Sequence, residues 1–168
     1  MSQQPEWEAI VDSSLGQEFE KGECQALTTV MKVRSLSDGE VLVKEGDSDN
    51  TLFILTQGKL VVSSEVEGKP TAVYTMKVGE CAGTRAFVDL APRRATLTAE
   101  GNATVYTLEP RGFEGLLQLP PRFFYKVVCC MFSLTQLNLL LMNVQTPGLS
   151  HFLHQYVWRS AEGAFEKN

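Results

Sequence analysis

The chain has 168 residues, 43% hydrophobic and 21% charged, which excludes a disordered or fibrous polymer and fits one ordinary globular domain. A chain of this length buries about two-thirds of the surface it exposes when unfolded. Its formal net charge of −5 argues against the broad positive footprint of a nucleic-acid-binding surface.

Met1 to Glu8 is polar and lacks the basic start and apolar core of a secretory signal. Cys24, Cys81, Cys129 and Cys130 form neither a CxxC motif nor a paired framework, so free thiols in a reducing cytoplasm are expected. Residues 1–35 read as helical: Trp7, Ile10, Val11, Leu15 and Phe19, then Leu27, Val30 and Met31, recur at spacings near three and four. Gly16 and Gly22 break this into two or three short helices, with Ser13 or Ser14 as a cap.

The period changes over residues 36–110. Val41/Val43, Leu52/Ile54, Leu60/Val62, Val73/Tyr74/Met76 and Val105/Leu108 form short runs, punctuated by Asp38-Gly39, Glu45-Gly46-Asp47, Gln57-Gly58, Glu67-Gly68-Lys69-Pro70 and Glu100-Gly101-Asn102. Short strands between regularly spaced turn signals indicate an antiparallel sandwich or jelly roll, with Gly58 and Gly68 expected in hairpin turns. Pro120-Pro121 stops the chain and restarts it into a long helix, Phe123 to Val144. That helix is apolar nearly all round, which requires a covering on more than one side. Three coverings compete: a second copy of the chain, the chain's own tail, or a bilayer, for which about 20 residues suffice. Lys126, Ser133, Thr135, Gln136, Asn138 and Asn143 argue against the bilayer. From Thr146-Pro147-Gly148 a break leads to a second short amphipathic stretch over residues 147–168.

The chemistry concentrates between Gly79 and Thr96, where Gly79-Glu80-Cys81-Ala82-Gly83-Thr84-Arg85-Ala86-Phe87 leads to Pro92-Arg93-Arg94-Ala95-Thr96. Glycine lets backbone N–H groups approach an anion, arginine offers a rigid fork of donors matched to phosphate oxygens, and a short helical turn between them adds a favourable dipole. By composition this is a phosphate cradle, and by itself a weak signal.

The segment resembles the phosphate-binding cassette of the cyclic-nucleotide-binding domain family, the sensor module of catabolite activator protein and of cAMP-dependent protein kinase regulatory subunits. The family reads Phe-Gly-Glu-Leu-Ala-Leu and then Pro-Arg-Ala-Ala-Thr; Ala82-Gly83-Thr84-Arg85-Ala86-Phe87 and Pro92-Arg93-Arg94-Ala95-Thr96 fall on these without a gap. Upstream, Val41 to Asp47 and Thr51 to Val62 resemble the family's hairpin, with Gly46, Gly58 and Gly79 in the family's order. The likeness implies a mainly β double-stranded β-helix (jelly roll) of about eight antiparallel strands, with N-terminal helices and a long C-terminal helix. It implies that Arg93 pairs with a cyclic phosphate, reinforced by Arg94 and flanked by Ala95, while Gly83, Arg85 and Ala86 supply backbone donors. Thr84 stands where the family has a glutamate that bonds the ribose 2′-hydroxyl, and a shorter neutral group replaces that contact with a weaker one. Polar residues of the family's long helix bond the purine, which points to Asn138, or to Thr135; the competing role for Asn138 is to fix helix register in a dimer.

A catalyst is not expected. A cupin-type metal site needs several His and carboxylate ligands, and His151 and His154 lie downstream of every predicted strand; two ligands without a third make no metal centre. No Ser/His/Asp or Cys/His constellation and no P-loop stands out. The expected arrangement is a cyclic-nucleotide-binding-like domain over residues 1–146 (helical 1–35, β-roll 36–110, helices 111–146) followed by a short helical tail, 147–168. The expected function is a stand-alone cytoplasmic sensor of cAMP, cGMP or a related phosphate, needing no cofactor and signalling through the long helix. Its partners would be a second copy, through residues 122–145, and possible output proteins. Twenty-two residues after the long helix leave no room for a helix-turn-helix, so no direct DNA binding is expected, and no membrane span. The alternative is a ligand-free dimerisation or partner-docking module with a degenerate pocket.

Overall fold

Leu52-Phe53-Ile54-Leu55 fixes where the sheet sits, because all four side chains are buried and they alternate between two apolar clusters. A strand apolar on both faces has to be covered on both. Here the two coverings are the helices and the interior of the roll. The computed structural model describes residues 4–143.

The elements in chain order are α1 (Trp7–Val11), a 3-10 turn (Gly16–Glu18), α2 (Lys21–Thr28), β1 (Met31–Leu36), β2 (Val41–Val43), β3 (Leu52–Val66), β4 (Lys69–Met76), β5 (Cys81–Ala82), α3 (Thr84–Asp89), β6 (Thr96–Leu108), α4 (Pro110–Glu114), a second 3-10 turn (Gly115–Gln118) and α5 (Pro121–Asn143). The strands pair antiparallel in the order β1-β6-β3-β4, with β2 also on β6 and β5 on β3. This is the mainly β roll with flanking helices that the sequence predicts, and the sheet does not close. Among the described residues there are six strands rather than about eight, because β3 and β6 each serve as two. The first half of β3 pairs with β5 and the second with β4; one half of β6 pairs with β1 and the other with β2.

Two local expectations need correction. The helices end at Thr28, and residues 31–35, helical by spacing, are strand. The Thr28 and Thr29 hydroxyls donate back to the carbonyls of Gln25 and Ala26 (2.7 and 2.6 Å), competing with helix continuation, and β1 then pairs with β6 from Met31↔Leu108 to Leu36↔Ala103. Gly58 is not a hairpin residue: it sits within β3, inside the register shift between Gln57 and Lys59. A Cβ built there would lie 2.3 Å from the Asn102 carbonyl oxygen, so the glycine admits the β6 backbone at a bulge. Gly68 does occupy the two-residue turn between β3 and β4.

Two apolar clusters hold the roll. Phe53, Leu55, Leu60, Met76, Leu97 and Val105 fill its interior, while Leu52, Ile54 and Leu108 face Ile10, Leu15, Leu27, Phe123, Val127 and Met131 from the helices. Each large side chain so buried contributes about 1.5–3 kcal/mol. On α5, Phe123, Val127, Met131 and Leu134 form the buried stripe, at i, i+4, i+8 and i+11. Lys126 beside this stripe donates to Glu23 on α2 at 2.7 Å, tying the long helix to the N-terminal helices. Not all of the apolar surface expected to need covering is covered among the described residues, since Val128 and Leu137 are exposed together with Tyr125 and Phe132.

The chain divides into two units, residues 1–134 and 135–168, and of the second the described part is the helical stretch 135–143. Among the described residues no helix is long and apolar enough to cross a membrane. The expected tail over residues 147–168, with His151 and His154, lies outside the described residues.

Candidate anion-binding site

The cradle is made where two loops zip together. The Arg93 N–H donates to the Asp47 carbonyl at 2.9 Å, and the Gly46 N–H donates to the Arg93 carbonyl at 2.8 Å, so the β2–β3 loop and the α3–β6 loop share a backbone ladder. That ladder sends the Arg93 side chain inward, where it is 4% exposed. Its Cζ stacks over the Phe53 ring, 4.9 Å from the centroid, a cation–π seat at the floor of the roll.

Gly83 makes this possible. It caps α3 in a left-handed conformation, φ 86°, and a Cβ built on it would lie 2.2 Å from Arg93 Nη1 and 2.8 Å from the Thr51 carbonyl oxygen. Only a residue without a side chain fits between the arginine and the start of the helix. Thr84 and Ala86 follow, both buried, in the first turn of α3, whose N–H groups have no carbonyl to bond within the helix.

A buried guanidinium requires a partner, and Arg93 has one within the chain. Nη2 donates to Asp49 Oδ1 and to the Thr51 carbonyl. Asp49 in turn accepts from the Thr51 N–H at 2.9 Å, an Asx-type turn at the entry to β3. Burial raises the Asp49 carboxyl, but the hydrogen bonds from Arg93 and Thr51 outweigh it and hold the group below its ordinary value. Two buried polar atoms beside this pair have no partner, Arg93 Nε and Asn50 Oδ1.

The predicted site residues divide accordingly. Gly83, Thr84, Ala86 and Arg93 converge on the cradle. The Arg85 side chain turns along α3 instead, its Nε 3.5 Å from Asp89 Oδ2, leaving only its backbone to the site. Arg94 is exposed and Ala95 half-buried. Glu80 is engaged in its turn, accepting from the Tyr74 hydroxyl at 2.6 Å and the Lys77 N–H at 3.0 Å; the carboxylate pushes the Tyr74 phenol up to about 12. Asn138 falls within α5, and its side chain lies outside what is described. Among the described residues no group of His, Cys, Asp and Glu could hold a metal ion. Asp49, Asn50, Thr51 and Phe53 are the site residues sequence reasoning missed. Asp49 and Asn50 fall in the gap between the two quoted halves of the hairpin motif, Val41 to Asp47 and Thr51 to Val62, so no motif pointed to them.

The family model for the cyclic nucleotide-binding domain matches residues 33–119, from β1 to the turn after α4, with the whole cradle inside. The chain belongs to the cyclic nucleotide-binding domain family. Over 74 residues it is 39% identical to a cGMP-dependent protein kinase of Eimeria tenella, covering 44% of this chain and 7% of that kinase. Over 80 residues it is 34% identical to a cAMP-dependent protein kinase regulatory subunit of Mucor circinelloides f. lusitanicus, covering 48% of this chain and 19% of that subunit. The chain thus spans less than a fifth of the length of either relative. A solved cyclic nucleotide-binding domain from Methylobacillus flagellatus superposes with TM-score 0.77 over 83% of this chain and 82% of its own, at 18% identity, a likeness of fold.

Proposed function

We propose that this chain is a regulatory sensor domain that takes a cyclic nucleotide, cAMP or cGMP, by its phosphate in the Arg93 cradle and passes occupancy to α5. The observation that carries this is the buried Arg93 guanidinium, with an unpartnered Nε, inside the segment the family model matches. The ligand class comes from the relatives, which are named for cAMP and cGMP. Gly83, Arg85 and Ala86 contribute backbone donors, Thr84 takes the ribose side without a carboxylate, Arg94 and Ala95 border the phosphate, and Asn138 reaches the base. No cofactor and no catalytic step is part of this function. The cysteines form no disulfide among the described residues, which suits a cytoplasmic setting. Output runs through a second copy on α5 or a separate protein, without direct contact to DNA.

One observation favours a second reading, a ligand-free docking module: Asp49 already neutralises the arginine. A thermal-shift series with cAMP and cGMP separates the two. At a nucleotide concentration about 100-fold above its dissociation constant, binding stabilises the fold by roughly 2.7 kcal/mol, a midpoint shift of about 5–10 °C. The shift should vanish in Arg93→Lys, which keeps the charge and loses the fork. A flat series at millimolar nucleotide sinks the sensor and leaves the docking module.

A further inference from the structure

We propose that Tyr74 reads the base: Glu80 fixes its hydroxyl as an acceptor at the rim of the roll, so the site selects a purine by its amino group. This role rests on the proposed cyclic-nucleotide function and concerns the part of the ligand that the cradle does not hold.

Directly opposed residues of neighbouring strands share a face of the sheet. Phe53, the seat of Arg93, is opposed by Ala82, and Val62 is opposed by Leu97 on one side and by Tyr74 on the other. Phe53 and Leu97 belong to the buried interior of the roll, while Val62, Tyr74 and Ala82 pack against it half-buried. These three side chains mark where the apolar interior meets solvent, beside the strand that leads into Gly83 and the strand that follows Arg93. Glu80, which holds the Tyr74 hydroxyl, stands three residues before Gly83, about 10 Å of chain at full extension. A base tethered to a phosphate at Arg93 therefore meets this rim, with Val62 and the Tyr74 ring as its apolar wall.

The polarity of the wall is set within the chain. A phenol has one O–H to donate, and Tyr74 gives it to Glu80 Oε1 at 2.6 Å. Glu80 Oε2 accepts from the Lys77 N–H at 3.0 Å, which pins the carboxylate to the turn between β4 and β5. With the phenol pushed up to about 12 by that carboxylate, the proton stays on Tyr74 at neutral pH. What the pair still offers a ligand is acceptor capacity alone. A desolvated acceptor favours a ligand that brings a donor over one that leaves it unpaired. On a purine, the exocyclic amino group, at position 6 in adenine and position 2 in guanine, is the donor that can be deleted without altering the rest of the ring system.

The test is titration calorimetry of the full chain with two matched pairs of nucleotides. cAMP is set against purine riboside 3′,5′-cyclic monophosphate, which lacks the 6-amino group, and cGMP against cIMP, which lacks the 2-amino group. The proteins are the natural sequence, Tyr74→Phe, which keeps the ring and removes the oxygen, and Glu80→Ala, which frees the hydroxyl to donate; circular dichroism verifies folding. The natural protein should prefer the amino-bearing member of the pair it binds by about tenfold. In Tyr74→Phe and Glu80→Ala the preference should fall to about twofold or less. Equal affinity for both members in the natural protein, or a preference that survives in folded Tyr74→Phe, overturns the role of Tyr74 while the sensor stands. A preference unchanged in folded Glu80→Ala overturns the fixing of the hydroxyl by Glu80. If no nucleotide binds at millimolar concentration, the sensor falls and the base reader with it.

Discussion

Phe87, on the helix that opens the cradle, meets Phe113 of α4 edge-on with ring centroids 5.4 Å apart, and Phe113 in turn tilts against Phe124 of α5 at 4.9 Å. Three rings thus join the anion site to the long helix. Edge-on and tilted aromatic pairs contribute about 0.5–1.5 kcal/mol beyond their buried area. Phe113→Ala should destabilise the fold by about 2–3 kcal/mol, read by urea denaturation, since Phe113 is only half-buried. If these rings carry occupancy to α5, the variant still binds nucleotide, but a fluorophore on the exposed Cys129 no longer responds to it. A full response in Phe113→Ala would remove the rings from the route.

Gly83→Ala tests the arginine's fit. The new methyl would clash with Arg93 Nη1 and the Thr51 carbonyl, and it would sit at positive φ. Gly39→Ala is the matched control, with φ 74° and nothing within 4 Å of the added carbon. Backbone strain alone costs about 1 kcal/mol at either position. Gly83→Ala should therefore lose at least about 1–2 kcal/mol more than Gly39→Ala in chemical denaturation. Equal losses would mean the cradle yields around a side chain.

Much of this was legible in the sequence, and the gaps have physical causes. Strand alternation and turn residues gave the roll, and the landmark glycines with Pro92-Arg93 placed the cassette. Residues 31–35 were misread because Leu27, Val30 and Met31 satisfy a helical spacing that pairing with β6 overrides. Gly58 was misplaced because a glycine at a bulge and one at a hairpin leave the same mark in a sequence. Asp49 was missed because an ion pair between residues 44 positions apart depends on how two loops meet. Arg94 drew attention as Arg93's neighbour, yet it lies at a bend before β6 and is exposed.

The Arg93–Asp49 pair makes stability depend on acid. The folded-state value of Asp49 is depressed, so its contribution is fully present above the ordinary carboxylate value, 3.8, and is lost as pH falls through the lower folded-state value. With 43% of the Asp49 side chain exposed, solvent screening limits the effect to about 1 kcal/mol. Denaturation of the natural protein and Asp49→Asn from pH 7 to pH 2 should give curves that are separated at neutrality and converge in acid. Curves that stay parallel throughout would mean that Asp49 gains nothing from the arginine in the folded state.

The outer face of α5 supplies the last prediction. Tyr125 and Phe132, seven residues apart and so on one side of the helix, are 71% and 63% exposed, and Val128 between them is 42% exposed. The opposite stripe, Phe123, Val127 and Met131, is already buried on the roll. A helix with one face committed and another apolar face open is suited to pairing with its twin, the assembly proposed for output. Phe132 is mostly exposed, so on Phe132→Glu the stability of the monomer should change by no more than about 0.5 kcal/mol. Sedimentation equilibrium should then give a dimer for the natural protein and a monomer for Tyr125→Glu and Phe132→Glu. A monomer in every case would assign this face to another partner; a dimer that survives both changes would place the contact elsewhere on the molecule.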